Sequence, residues 1–138
     1  MGKNKVIIID NSVLMKAFLD EEGSGKVREI LRLAYTKQIT LMAPTLIVFE
    51  FLNALCKAVG DYEEVKKAYA QFKKLQIGLM DPDENYIFGF LEDVCGKGIS
   101  YYDASYHALA KSFDAVFLTA DKAYYKIMKN KGNVELFK

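Results

Sequence analysis

The stretch VIIIDNS, from Val6 to Ser12, sets the architecture of the chain. Four β-branched apolar residues run without interruption into a carboxylate. A continuous apolar run, rather than an alternating one, is what a strand covered on both faces requires, and such strands belong to parallel sheets flanked by helices. In those sheets, ligands bind beyond the carboxyl ends of the strands, which is where Asp10 stands. Asp10 can be the turn or capping residue that ends a buried strand. It can equally be a carboxylate that the strand delivers. The stretch by itself leaves both readings open.

Outward from this strand, read as residues 5–9, helices and strands alternate. Asn11 or Ser12 is expected to cap a short helix reaching Phe18. After the loop DEEGSG (residues 20–25), Ser24 is expected to cap a second, with Val27, Ile30, Leu31 and Ala34 at helical spacing. Residues 39–42 read as a strand, and Pro44 suits the first turn of a helix running to about Val59. Asp61 caps the next helix, residues 77–80 are a short strand, and residues 83–94 a helix stopped by the glycine turn at 96–98. Ser100 opens a helix to Ser112. Residues 115–118 follow as strand, 122–129 as helix and 134–137 as a last strand. This order predicts one domain over residues 1–138, a three-layer α/β/α sandwich with a mostly parallel central sheet.

Composition narrows the function classes. Of 138 residues, 51% are hydrophobic and 27% charged, which excludes a disordered chain. Nineteen basic and 18 acidic side chains leave a net charge of +1, so any polyanion has to be met by a local patch. Cys56 and Cys95 lie far apart in apolar helical contexts and read as small core residues of a reducing, cytoplasmic setting. A single histidine, His107, excludes a multi-histidine zinc site. No apolar run approaches the ~18 residues of a membrane span. The opening MGKNK passes into a strand instead of a signal peptide, and Val6 stands where a myristoylation signal at Gly2 needs Ser or Thr.

Three further carboxylates occupy awkward positions. Glu50 is the only charged residue in LMAPTLIVFEFLNALC (41–56), with Asn53 as its one polar companion one turn on. An ionised Glu is rarely buried without a partner, and the stretch offers no Lys or Arg. It is therefore expected to face a polar cleft. Asp103, in ISYYDASYHALA (99–110), matches a capping box with Ser100 and shares a helix face with His107. An Asp–His metal pair is conceivable there, and a structural histidine is the plainer reading. Asp121, in FLTADKAY, follows an apolar strand and can cap the next helix. A parallel sheet gathers strand ends and following helix starts at one edge, so all four acids can converge with Asp10. Gathered carboxylates repel unless a divalent cation holds them, and oxygen ligands with no Cys favour Mg²⁺ or Mn²⁺. The chemistry implied is phosphoryl-ester hydrolysis.

VIIIDNSVLMKAF, the Glu in TLIVFEFLNAL, the Asp in SYYDASYHALA and the Asp in FLTAD together resemble the PIN domain, in the order and approximate spacing of the VapC-like toxins of bacterial and archaeal toxin–antitoxin pairs. The resemblance spans essentially the whole chain. It implies a PIN-like fold and a Mg²⁺- or Mn²⁺-dependent endoribonuclease, leaving a 3′-hydroxyl and a 5′-phosphate. Carried onto this sequence, Asp10, Glu50, Asp103 and Asp121 become the catalytic and metal-binding quartet. Ser12 and Thr119 become supporting residues near the metal. Asn11 departs from the small residue or Thr usual between Asp10 and Ser12. The resemblance further implies an RNA substrate, a homodimer and a protein antitoxin that silences the acidic cleft.

Lys16, Lys122 and Lys126, on the flanking helices, are candidates for guiding RNA phosphates. Tyr101, Tyr102, Tyr106, Tyr124 and Tyr125 are candidates for base stacking, with core packing as the plainer role. The alternatives are a non-catalytic PIN-fold module binding RNA or protein, for instance in RNA processing, and a haloacid-dehalogenase-type phosphatase. The phosphatase needs a second Asp two residues after the first, and position 12 is Ser.

Overall fold

The computed structural model describes residues 5–138. The readings of a signal peptide and of Gly2 fall on residues 1–4 and lie outside the described residues. Five strands form one sheet: β1 (Lys5–Ile9), β2 (Ile39–Ala43), β3 (Gly78–Leu79), β4 (Val116–Thr119) and β5 (Val134–Leu136), in the order β3-β2-β1-β4-β5. Every ladder is parallel. Ile7, Ile8 and Ile9 are all buried, as a central strand covered on both faces demands.

Among the described residues, eight α-helices connect the strands: α1 (Asn11–Leu19), α2 (Ser24–Tyr35), α3 (Ile47–Ala58), α4 (Tyr62–Lys74), α5 (Glu84–Phe88), α6 (Leu91–Lys97), α7 (Tyr101–Ser112) and α8 (Lys122–Met128). α1 packs on α2 and α3, and α3 on α4. The rings of Phe18, Phe51, Phe72 and Tyr69 run through that layer, with successive centroids 4.8, 4.6 and 5.8 Å apart. On α7 and α8, Tyr106, His107 and Tyr124 close around Phe117 of β4. The expected sandwich is therefore present. β1 connects forward to β2 on one side and receives β4 on the other. The gap between the carboxyl ends of β1 and β4 is a topological switch point.

Local chemistry differs from the sequence reading in several places. Asp10, not Asn11 or Ser12, occupies the N-cap position of α1, and its side chain makes no cap bond. Ser12 Oγ is engaged elsewhere. Gly23, at φ 89°, takes the N-cap position of α2 instead of Ser24. A side chain on Gly23 would also strike the Phe137 ring, 2.8 Å from the would-be Cβ. Pro44 precedes α3 by a turn of i→i+3 bonds (Ile47 N to Pro44 O, Val48 N to Thr45 O), and Asp81 accepts the amide and hydroxyl of Thr45 there. The single helix expected over 83–94 is two, broken at Gly89 and Phe90. The break frees the Gly89 carbonyl to accept Lys131 Nζ at 2.7 Å, while Phe90 turns into the core under the same ammonium. Cys56 and Cys95 are exposed, correcting the core reading; on α3, Phe51 and Leu55 take the inward face.

His107 is a structural residue. It is fully buried between Tyr124 Oη (2.8 Å from Nδ1) and the Gly132 carbonyl (2.6 Å from Nε2). A carbonyl only accepts, so Nε2 carries the proton and Nδ1 accepts from the Tyr124 hydroxyl. Burial drives the imidazole pKa down to about 4, against a smaller upward pull from the Gly132 bond. A depressed histidine pKa means that the unfolded chain binds the proton first. The stabilisation is complete above about pH 6.5 and is lost as pH falls toward 4. Urea titrations across that window should show a fall on the order of 3 kcal/mol attributable to this residue. His107→Gln, which does not titrate, should be less stable at pH 7 and show a correspondingly smaller pH slope; an unchanged slope would contradict the assignment.

Candidate active site

The carboxyl ends of β1 and β4 are joined by side chains as well as by the ladder. Thr119 Oγ1, wholly buried, donates to Asp10 Oδ2 at 2.6 Å and accepts the Asp121 amide at 3.0 Å. Ser12 Oγ donates to the same Asp10 oxygen at 2.9 Å and accepts the Ala120 amide at 3.1 Å. Each hydroxyl thus reaches from Asp10 to the backbone just after β4. Asp121 Oδ1 accepts the Tyr124 amide at 3.0 Å, so the expected N-cap of α8 is real and occupies one of its oxygens.

Glu50 comes from α3. Its partner is not a cation but the phenol of Tyr106, which donates to Oε1 at 2.5 Å. Tyr106 is fully buried and stacks on Phe117, so the bond ties α3 to α7 beside the end of β1. The sequence reading listed Tyr106 among possible stacking residues and missed this role. A buried Tyr one helical turn after Asp103 was the available signal, but its partner lies 56 residues away. Asp103 enters at the first turn of α7. Half of the expected capping box forms, Ser100 Oγ accepting the Asp103 amide at 3.1 Å. Among the described residues, the reciprocal bond from the Asp103 carboxylate does not. Asn53 is exposed on α3, while Lys16 lies 3.9 Å from Glu21; Lys122 and Lys126 are exposed on α8.

Electrostatics show that these acids share one space. Burial raises the pKa of Asp10 above the ordinary carboxylate value, against the Thr119 and Ser12 bonds. Burial also raises that of Glu50; the Tyr106 bond pulls it down and the charges of Asp10 and Asp103 push it up. Asp103 is raised by burial and then by Asp10 and Asp121. Among the described residues, no basic side chain is a cause of any of the three shifts. A contrasting acid lies outside this space: Asp93, also buried, is raised by burial but lowered overall by Lys131 and Lys97 at 2.5 and 2.9 Å.

Among the described residues, no three His, Cys, Asp or Glu side chains stand together as a closed metal cage. The donor set fits a hydrated ion instead. Mg²⁺ keeps several waters and needs only one or two carboxylates from the protein. Asn11 Oδ1, adjoining Asp10 in sequence, is a buried acceptor with no partner among the described residues, so the chain leaves a hydrogen-bond demand unmet next to Asp10. A cavity of about 430 Å³ adjoins the acids, lined by Leu46, Phe49, Glu50, Ser100, Tyr102 and Asp103. No helix among the described residues is long and apolar enough to cross a membrane.

A sequence model of the PIN domain matches residues 7–130. No curated protein matches the chain in sequence. Among solved structures, VapBC2 from Rickettsia felis, bound to a DNA fragment from the promoter, is similar with a TM-score of 0.71 and 16% identity, covering 96% of this chain and 99% of that one. VapC20 of Mycobacterium tuberculosis, described as a toxin that cleaves the sarcin–ricin loop, gives 0.64 at 15% identity over 96% and 99%. PAE2754 from Pyrobaculum aerophilum gives 0.63 at 22% identity over 90% and 84%. At these identities the likeness is one of fold.

The raised pKa of Asp103 has a thermodynamic consequence. A carboxyl held above its unfolded value stabilises the fold below about pH 3.8 and loses that contribution as pH rises through the folded value, so at neutral pH its charge is a burden. Asp103→Asn should therefore raise the melting temperature of the metal-free protein at pH 7 by about 3–5 °C, the shift expected for ~1 kcal/mol in a domain of this size. Differential scanning calorimetry in EDTA measures it. A drop would show that the carboxylate is stabilised rather than crowded.

Proposed function

The chain belongs to the PIN-domain family, and from that premise we propose that it is a metal-dependent ribonuclease, the toxin of a toxin–antitoxin pair. The observation that carries the reading is the crowding of Asp10, Glu50 and Asp103 in one cleft, each driven toward proton uptake with no basic side chain among the described residues in compensation. Such an arrangement is costly in a protein that never binds a cation there.

Asp10, Glu50, Asp103 and Asp121 would hold Mg²⁺ or Mn²⁺. When bound, such an ion supplies a water of lowered pKa and positive charge against the phosphoryl oxygens. The remaining work belongs to the chain. Thr119 and Ser12 fix the Asp10 carboxylate by two hydroxyl bonds to one oxygen. Tyr106 fixes Glu50 through Oε1, so that its other oxygen would either ligate the ion or orient the attacking water. The capping bond to Tyr124 orients Asp121 at the edge of the cleft. Lys122 and Lys126 meet RNA phosphates from α8, with Asn53 beside Glu50 on α3. Lys16 is a weaker guide, because Glu21 lies beside it.

The partner reading is supported by similarity to two proteins solved as VapBC assemblies, from Rickettsia felis and nontypeable Haemophilus influenzae. A protein antitoxin that delivers a cation to the acidic cleft fits its charge, and a homodimer and a cytoplasmic location follow the family pattern.

Incubation of the purified chain with mixed RNAs tests the activity. Cleavage is expected with Mn²⁺, is expected to stop in EDTA, and should fall by about 100-fold or more in Asp10→Asn. Cleavage that survives both EDTA and the substitution would overturn the reading.

A further inference from the structure

Phe49 and Tyr102 are large aromatic side chains that the fold leaves in solvent, 76% and 69% exposed. Each immediately precedes a cleft acid, Phe49 before Glu50 on α3 and Tyr102 before Asp103 on α7. Successive residues on a helix project about 100° apart, so each helix can turn an acid toward the sheet edge and a ring toward the opening. The two pairs line the same cavity, with Leu46 and Ser100 completing the wall. Its volume of about 430 Å³ lies within the ~300–1,000 Å³ usual for small-ligand sites.

Resting on the ribonuclease reading above, we propose that Phe49 and Tyr102 form an aromatic clamp for one unpaired nucleobase beside the scissile phosphate. The lining specifies the occupant. Rings and Leu46 call for a flat apolar body, and the acids beside them, which would hold the ion, call for a phosphate next to that body. A nucleotide has both. A second copy of this chain docking an apolar face would instead bury two carboxylates without donors. The clamp also gives the substrate an uncharged handhold where its phosphates are repelled by the acids. Duplex RNA stacks its bases internally and cannot offer one without unpairing.

The test uses the full chain and a short fluorescein-labelled oligoribonucleotide in three forms: single-stranded, annealed to its complement, and abasic. Binding is read by anisotropy in an Asp10→Asn background with Mg²⁺ present, and cleavage by the otherwise wild-type protein with Mn²⁺. Phe49→Ala and Tyr102→Ala should each weaken single-strand binding by about tenfold, within the range of base–aromatic stacking, with the loss carried by KM rather than kcat. Tyr102→Phe should bind as the parent does, and the abasic strand should bind all variants equally and weakly. Unchanged binding in the alanine variants, equal binding of duplex and single strand by the parent, or no binding at all would each overturn the clamp. So would light scattering showing that either alanine variant dissolves a dimer. Single-strand binding that depends on the two rings, without any metal-dependent cleavage, would instead uphold the clamp and overturn the nuclease reading.

Discussion

A carboxylate at the end of the central strand must be kept in place without a positive side chain beside it, and much of the surrounding structure follows from that constraint. Asp10 is almost wholly buried, and its side-chain partners are hydroxyls, each tied to the backbone after β4. A Lys or Arg there would stabilise the charge and cancel its use. Neutral donors fix orientation while leaving the field of the anion largely intact. The contrast with Asp93 makes the point within one molecule. Two lysines neutralise that buried acid, and it serves to pin the broken helix α5–α6 to the turn after α8.

The central strand and the alternation of elements could be read from the sequence because both are local. Three consecutive isoleucines leave no face for water, and apolar spacing distinguishes helix from strand within a few turns. The acids were legible for a different reason: each violates the expectation for its own element, most clearly Glu50 in an apolar helix. What was not legible is how those violations are compensated. Glu50 meets Tyr106 across 56 residues, and Asp10 meets Thr119 across 109. The Gly89 carbonyl at the helix break meets Lys131, which lies beyond any local pattern. Capping readings failed at Ser12 and Ser24 for related reasons. Ser12 was claimed by a tertiary contact, and the steric demand of Phe137 fell on Gly23. Cys56 looked buried by composition, but a helix packed along one side has an outer face even when its sequence is apolar.

Family membership and site geometry carry different parts of the functional picture. The domain match covers most of the chain, yet the similar structures share few residues with it. A fold is a scaffold for many chemistries, and the site has to be argued on its own side chains. Here they divide into a charged floor on the sheet edge and an aromatic rim on two helices. The floor suits a cation and a phosphate. The rim suits something flat and uncharged.

The strand order has a consequence for synthesis. The first strand made becomes the middle of the sheet, and one of its two neighbours, β4, begins only at Val116. The hydroxyl that steadies Asp10 is therefore among the last parts of the domain to emerge during translation, and Asp121 follows it. A nascent chain cannot display the assembled cleft until nearly all of the domain has been made. Contacts of this sequence separation also make folding slow compared with a helical bundle of equal length. On the ribonuclease reading proposed above, such a topology would keep the ribosome that is making the protein, and the message it reads, next to an unassembled site for most of the elongation cycle.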